Sequence, residues 1–183
     1  MLSLNQAKAG TKIIWRAAPH EIVEANHLKV GRGGAKLVTK LRNLLTGSTI
    51  DYTFAGDERL EEAEIRYRPS QFLYAQDDKS FLMTNDDYET LEVALPKKQS
   101  QFLLEGSTAD LIIWQGQAIG VNLPKKVELK VSYTEPGFKG NTQSSTLKPA
   151  QLETGLEVMV PLFINAGDII RVSTETGAYD ARV

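Results

Sequence analysis

Apolar and polar residues alternate along most of the chain, and the alternation comes in short runs. From position 35 the odd residues are Ala35, Leu37, Thr39 and Leu41, and the even ones Lys36, Val38, Lys40 and Arg42. Successive side chains of a strand point to opposite faces, so this segment offers one face to a core and one to solvent. Residues 12–15, 21–28, 35–45, 49–54, 64–74, 80–84, 90–95, 110–114, 118–123, 127–134, 156–161 and 169–174 read as strands in the same way. Turn chemistry separates them, as in Thr46-Gly47-Ser48, Ala55-Gly56-Asp57, Gln115-Gly116-Gln117 and Glu135-Pro136-Gly137. Residues 98–105 alone read as helix. So many short strands predict an all-β chain built of small antiparallel barrels.

Two breaks divide the strands. The acidic run Asp57-Glu58-Arg59-Leu60-Glu61-Glu62 reads as a solvated linker, and Leu123-Pro124-Lys125-Lys126 precedes a fresh strand. Three units follow, at 1–63, 64–126 and 127–183, each large enough for only a modest core. Charge then changes the picture. The net charge of −2 is the sum of +5 over residues 1–56, −6 over 57–128 and −1 over 129–183. A basic first third suits a polyanionic partner, whatever the whole-chain balance.

Candidate chemistry is narrow. With no cysteine, disulfide and thiol chemistry are excluded, and a reducing cytoplasm is the expected compartment. The two histidines, His20 and His27, do not form a helical i,i+4 pair, so no His-based metal site is expected, a carboxylate-only site is left open by the sequence, and no metal or cofactor is assigned. No apolar run approaches the roughly 20 residues of a membrane span. Asp57–Glu64 and Asp86-Asp87 read as linkers and turns, and no catalytic carboxylate is assigned. Trp15 and Trp114 read as core or barrel-edge aromatics, and His27 as either barrel packing or an RNA contact.

The segment Lys29-Val30-Gly31-Arg32-Gly33-Gly34-Ala35-Lys36 stands apart. Glycine lets a backbone turn tightly and approach another surface closely, and arginine offers a planar, permanently charged fork suited to phosphate. Behind this tip, Lys36, Lys40 and Arg42 share one strand face and form a basic rail. A rail followed by a thin cationic tip fits a phosphate backbone, where cations give affinity without reading sequence.

Whole-chain motifs then point to a family. The stretch from Lys148-Pro149-Ala150 through Gly155 and Val160-Pro161 to Gly167 closely resembles the C-terminal signature of bacterial translation elongation factor P. Gly10-Thr11-Lys12-Ile13, Lys40-Leu41-Arg42-Asn43-Leu44-Leu45-Thr46-Gly47, Phe81-Leu82-Met83, Trp114-Gln115-Gly116-Gln117 and Thr134-Glu135-Pro136-Gly137-Phe138-Lys139-Gly140 extend the resemblance over the whole chain.

The resemblance implies an SH3-like (KOW) barrel followed by two OB-fold barrels, in an L-shaped arrangement like a tRNA. It implies a non-enzymatic factor that binds the 70S ribosome between the P and E sites, against the P-site peptidyl-tRNA, and relieves stalling at consecutive prolines; a monomer is expected. Arg32 falls at the family's modified tip position and places the chain in the arginine branch. There an arginine rhamnosyltransferase is the implied partner, and the arginine works either bare or decorated. Lys29, Gly31, Arg32, Gly33, Lys36, Lys40 and Arg42 are the implied tRNA contacts, and Asn141, Thr142, Tyr179 and Arg182 the implied C-terminal ribosome or tRNA contacts. Two alternatives remain: an elongation factor P-like paralogue, and a general RNA-binding OB protein without a ribosomal role.

Overall fold

The computed structural model describes residues 1–30, 34–56, 58–136 and 147–183. Among them the regular secondary structure is almost entirely strand, arranged as three antiparallel-rich sheets. The first contains β1 (Leu2–Ser3), β2 (Lys12–Trp15), β3 (Ala18–Val30), β4 (Gly34–Asn43), β5 (Thr49–Ala55) and β6 (Arg59–Glu62), in the spatial order β1-β6-β2-β3-β4-β5. Leu4, Ala7, Ile13, Ile22, Leu37, Leu41, Phe54 and Leu60 pack as its core.

The second sheet contains β7 (Ile65–Gln76), β8 (Lys79–Thr84), β9 (Thr90–Ala94), β10 (Thr108–Trp114) and β11 (Gln117–Asn122), ordered β11-β10-β7-β8-β9. It buries Phe72, Leu82, Val93 and Leu111, and also Ser70, whose hydroxyl donates to the Ala109 carbonyl at 2.6 Å. The third contains β12 (Lys126–Thr134), β13 (Leu147–Leu152), β14 (Glu157–Pro161), β15 (Ile169–Ser173) and β16 (Tyr179–Arg182), ordered β14-β13-β12-β15-β16. Its core is aliphatic, from Leu129 and Val131 to Ile170 and Val172, with one aromatic ring, Phe102, contributed from ahead of the sheet. The chain groups into two compact units, residues 1–68 with 112–120, and residues 69–111 with 121–183.

Where apolar alternation is strict, strands lie where the sequence places them. Four strands had no such signal. The acidic run expected as a linker is largely β6, a strand between β1 and β2, with Leu2 opposite Leu60 and Ile13 opposite Glu62. Only Leu60 turns inward there, and the charged residues around it stay exposed, so no apolar period is visible. β13 hides for a different reason. Its inward positions are Lys148, Ala150 and Leu152, and Pro149 stands at an outward position. β1 and β16 are short. The expected helix over 98–105 shrinks to α1 (Lys97–Ser100), because Phe102 and Leu103 turn away into buried positions.

Candidate nucleic-acid interface

The hairpin of β3 and β4 is the longest strand pair of the first sheet, and its residues explain why. Pairing runs from His20↔Asn43 out to Lys29↔Ala35 and Val30↔Gly34, on the two sides of positions 31–33. Near the core the faces alternate as expected: Leu37, Thr39 and Leu41 are buried, while Lys36 and Arg42 are exposed and Lys40 partly so. The Thr39 hydroxyl is satisfied by donating to the Tyr52 carbonyl at 2.8 Å.

The register shifts once in β3, between Ile22 and Glu24. Such a bulge adds one unpaired residue, here Val23, and reverses the alternation beyond it. Ile22 and Ala25 therefore both turn toward the core, and Glu24 turns outward to face Lys40. Farther along, Asn26, His27 and Leu28 are exposed in succession. Consecutive strand residues occupy opposite faces, so solvent reaches both sides of β3 there. Leu37, opposite His27, still belongs to the core, and the next pair, Leu28 with Lys36, is exposed, so the hairpin leaves the core there as an arm. His27 is anchored at the arm's root, with Nε2 3.1 Å from the Ala7 carbonyl oxygen; it is a tether rather than core packing.

The rail differs from the sequence expectation in its electrostatics. Lys40 Nζ lies 3.5 Å from Glu24 Oε1, Arg42 pairs with Glu21, and Lys12 Nζ lies 3.8 Å from the same Glu21. Two acids on β3 thus counter three cations on β2 and β4. They come from another strand and meet the cations only through the bulged register, a signal that residue spacing within one strand does not carry. Lys79 and Arg171, in the other sheets, are held above their ordinary range, Lys79 through its hydrogen bond to Glu92 and Arg171 through its hydrogen bond to Glu128.

Of the expected contacts, Gly31, Arg32, Gly33, Asn141 and Thr142 lie outside the described residues, and Lys29 is described through its backbone pairing alone. In the third sheet Tyr179 is half-buried against the aliphatic core, which makes it a packing residue in part. Arg182 is exposed, with Nη1 3.7 Å from Asp168 Oδ2. Trp15 packs against the first core as expected. Among the described residues, no three His, Asp or Glu side chains gather as metal ligands, and no helix is long and apolar enough to cross a membrane.

The arm can present cations to a polyanion in a groove too narrow for a whole domain. Comparison with known proteins bears on which polyanion. Family models described as "Elongation factor P (EF-P) KOW-like domain", "Elongation factor P (EF-P) OB domain" and "Elongation factor P, C-terminal" match residues 3–60, 65–121 and 127–182. The chain is 46% identical over 184 residues to elongation factor P of Symbiobacterium thermophilum, covering all of both proteins. It is 43% identical to elongation factor P of Onion yellows phytoplasma, covering all of this chain and 98% of that one. Among solved structures, a eukaryotic translation initiation factor 5A from Methanococcus jannaschii superposes with a TM-score of 0.55 at 24% identity, over 66% of this chain and 90% of that one, a likeness of fold.

Proposed function

Because the chain belongs to the elongation factor P family and is a translation elongation factor, we propose that it binds the 70S ribosome between the P and E sites. There it stabilises peptidyl-tRNA, speeding peptide-bond formation between consecutive prolines. The observation that carries this reading is the long β3–β4 hairpin, which exposes Asn26, His27 and Leu28 of β3 and Lys36 of β4 and leads in sequence to the Arg32 segment. A thin cationic arm suits the end of a tRNA, where a whole barrel would not fit.

The physical task is orientation. Proline is a secondary amine with its φ locked by the ring, so it attacks and accepts from an awkward pose. Holding the tRNA end in a productive pose recovers orientation entropy, a term that can reach several kcal/mol. About 1.4 kcal/mol recovered gives a tenfold rate. The bond-making chemistry stays with the ribosome, so the factor itself is not an enzyme, and its compartment is the cytoplasm. Three domains go with this reading, at 1–63, 64–126 and 127–183; the first sheet ends at Glu62, the second runs from Ile65 to Asn122, and the third starts at Lys126, one residue inside the proposed second domain.

Ribosome profiling of a deletion strain tests the reading: pauses at Pro-Pro codons are expected, and their absence contradicts it. Arg32→Ala is expected to keep the melting temperature and lose stall relief; full activity overturns the tip assignment. An arginine rhamnosyltransferase is the proposed modifying partner. Intact mass of the protein from its native host is expected to show one deoxyhexose on Arg32, and an unmodified mass refutes the modification. The second reading, a general RNA-binding OB protein, draws on the stacked pair Tyr74 and Phe81 of the second sheet, with ring centroids 4.6 Å apart and Tyr74 half exposed. That protein would leave Pro-Pro pauses unchanged.

A further inference from the structure

We infer that Arg16, on the β2–β3 turn, is a second RNA-phosphate contact of the first sheet, held ready on the ring of Trp15. The inference rests on the ribosome-bound reading above. The turn is closed by the pair Trp15↔Ala18, leaving Arg16 and Ala17 as its two central residues. Their φ values are 49° and 60°, both in the left-handed region. A two-residue hairpin turn of this hand is normally filled by Asn-Gly or Asp-Gly, because side chains with a Cβ are disfavoured there. Here an arginine and an alanine occupy it. Strained residues of this kind persist where the surroundings over-determine them, and they concentrate at working sites.

The surroundings are a ladder of rings. The Arg16 guanidinium carbon lies 4.2 Å from the centroid of the Trp15 ring. Trp15 meets His20 edge-on at 5.3 Å and Tyr52 at 5.1 Å, and Tyr52 meets Phe54 at 4.8 Å. Phe54 is 3% exposed, so the ladder is rooted in the core. A guanidinium held over a ring can still turn N–H donors outward, where phosphate oxygens would accept them.

Charge separates Arg16 from the other cations nearby. Lys12 and Arg42 are paired with Glu21, and Lys40 with Glu24, whereas no described carboxylate pairs with exposed Arg16. Its only described partner is the Trp15 ring, so its charge is not neutralised by a described carboxylate. The 13-residue β3 begins two residues after Arg16 and runs to Val30, up to about 40 Å at strand rise, where the sequence continues into the Arg32 segment. Two cationic points at that spacing suit a partner that repeats phosphates along its length, which RNA does.

The test uses the full-length protein carrying Arg16→Asn together with Ala17→Gly, which places the favoured turn residues in the same backbone. The melting temperature is expected to equal or exceed that of the unchanged protein, so loss of fold is not at issue. Binding to 70S ribosomes carrying P-site peptidyl-tRNA is expected to weaken, with the log–log salt dependence shallower by about one. Unchanged affinity and slope overturn the assignment. A photo-crosslinker at Ala17 gives the identity of the partner: adducts to RNA support the inference, and adducts to ribosomal protein alone overturn it. Failure of the broader reading looks different, because the unchanged protein would then not stimulate diproline synthesis at all.

Discussion

Glu21 sits between Lys12 and Arg42, and Glu24 reaches Lys40, so much of the basic rail is already paired before any partner arrives. A phosphate must displace a carboxylate from these cations, which costs affinity and favours a partner whose charge is dense. Glu21→Gln would unpair two cations at once. Ribosome binding is expected to tighten and its salt dependence to steepen, while urea unfolding shows a loss below about 1 kcal/mol, as for surface pairs. Weaker binding would show that Glu21 positions Arg42 for its partner instead of masking it. That Lys36, Lys40 and Arg42 share a face was legible from their spacing alone. Their counter-ions were not, since these depend on which residue of β3 stands opposite, and a bulge sets that.

Elements were legible where the inward positions were apolar or small and neutral, as with Leu37, Thr39 and Leu41 of β4 and Ser80, Leu82 and Thr84 of β8. β13 was not, and the reason is a charged group in an inward position: Lys148 is only 6% exposed, and its ammonium donates to the Glu135 carbonyl at 2.6 Å. The bond ties the end of β12 to the start of β13, across a connection that no side-chain period describes. Lys148→Met preserves length and apolar stem while leaving that carbonyl without its donor. A loss of about 1–3 kcal/mol is expected in urea unfolding of the full chain; an unchanged midpoint would mean that solvent replaces the bond. β6 escaped notice for the opposite reason, one inward leucine among charges, and α1 is short because Phe102 is wanted elsewhere.

At the scale of the molecule, Phe102 belongs to a core that its own neighbours in sequence do not form. It is 7% exposed among Leu129, Val131 and Val158 of the third sheet, with half-buried Leu104 packed beside it. Gln101 adds a hydrogen bond from its side-chain amide to the Gly155 carbonyl at 3.1 Å. The segment after α1 is thus part of the third sheet's packing, although the sequence breaks near residue 124 suggested a clean start there. Phe102→Ala is expected to cost about 3–5 kcal/mol and to lower hydrogen-exchange protection in β12 and β15 before the first sheet is affected. Uniform loss across all three sheets would show a single cooperative unit instead. Three barrels and a basic first third were legible from strand count and charge; which residues close each core was not, because that is decided by contacts distant along the chain. The bulge at Val23 has a consequence of the same reach. Beyond it every side chain of β3 has its face fixed by parity, so removing or adding one residue there would turn Ala25 to solvent and Glu24 to the core. Two residues added to β3 with two more added opposite in β4 would keep the faces and lengthen the hairpin by about 7 Å. The arm can therefore change its reach in even steps only, and a family of such factors can vary its composition far more freely than its length.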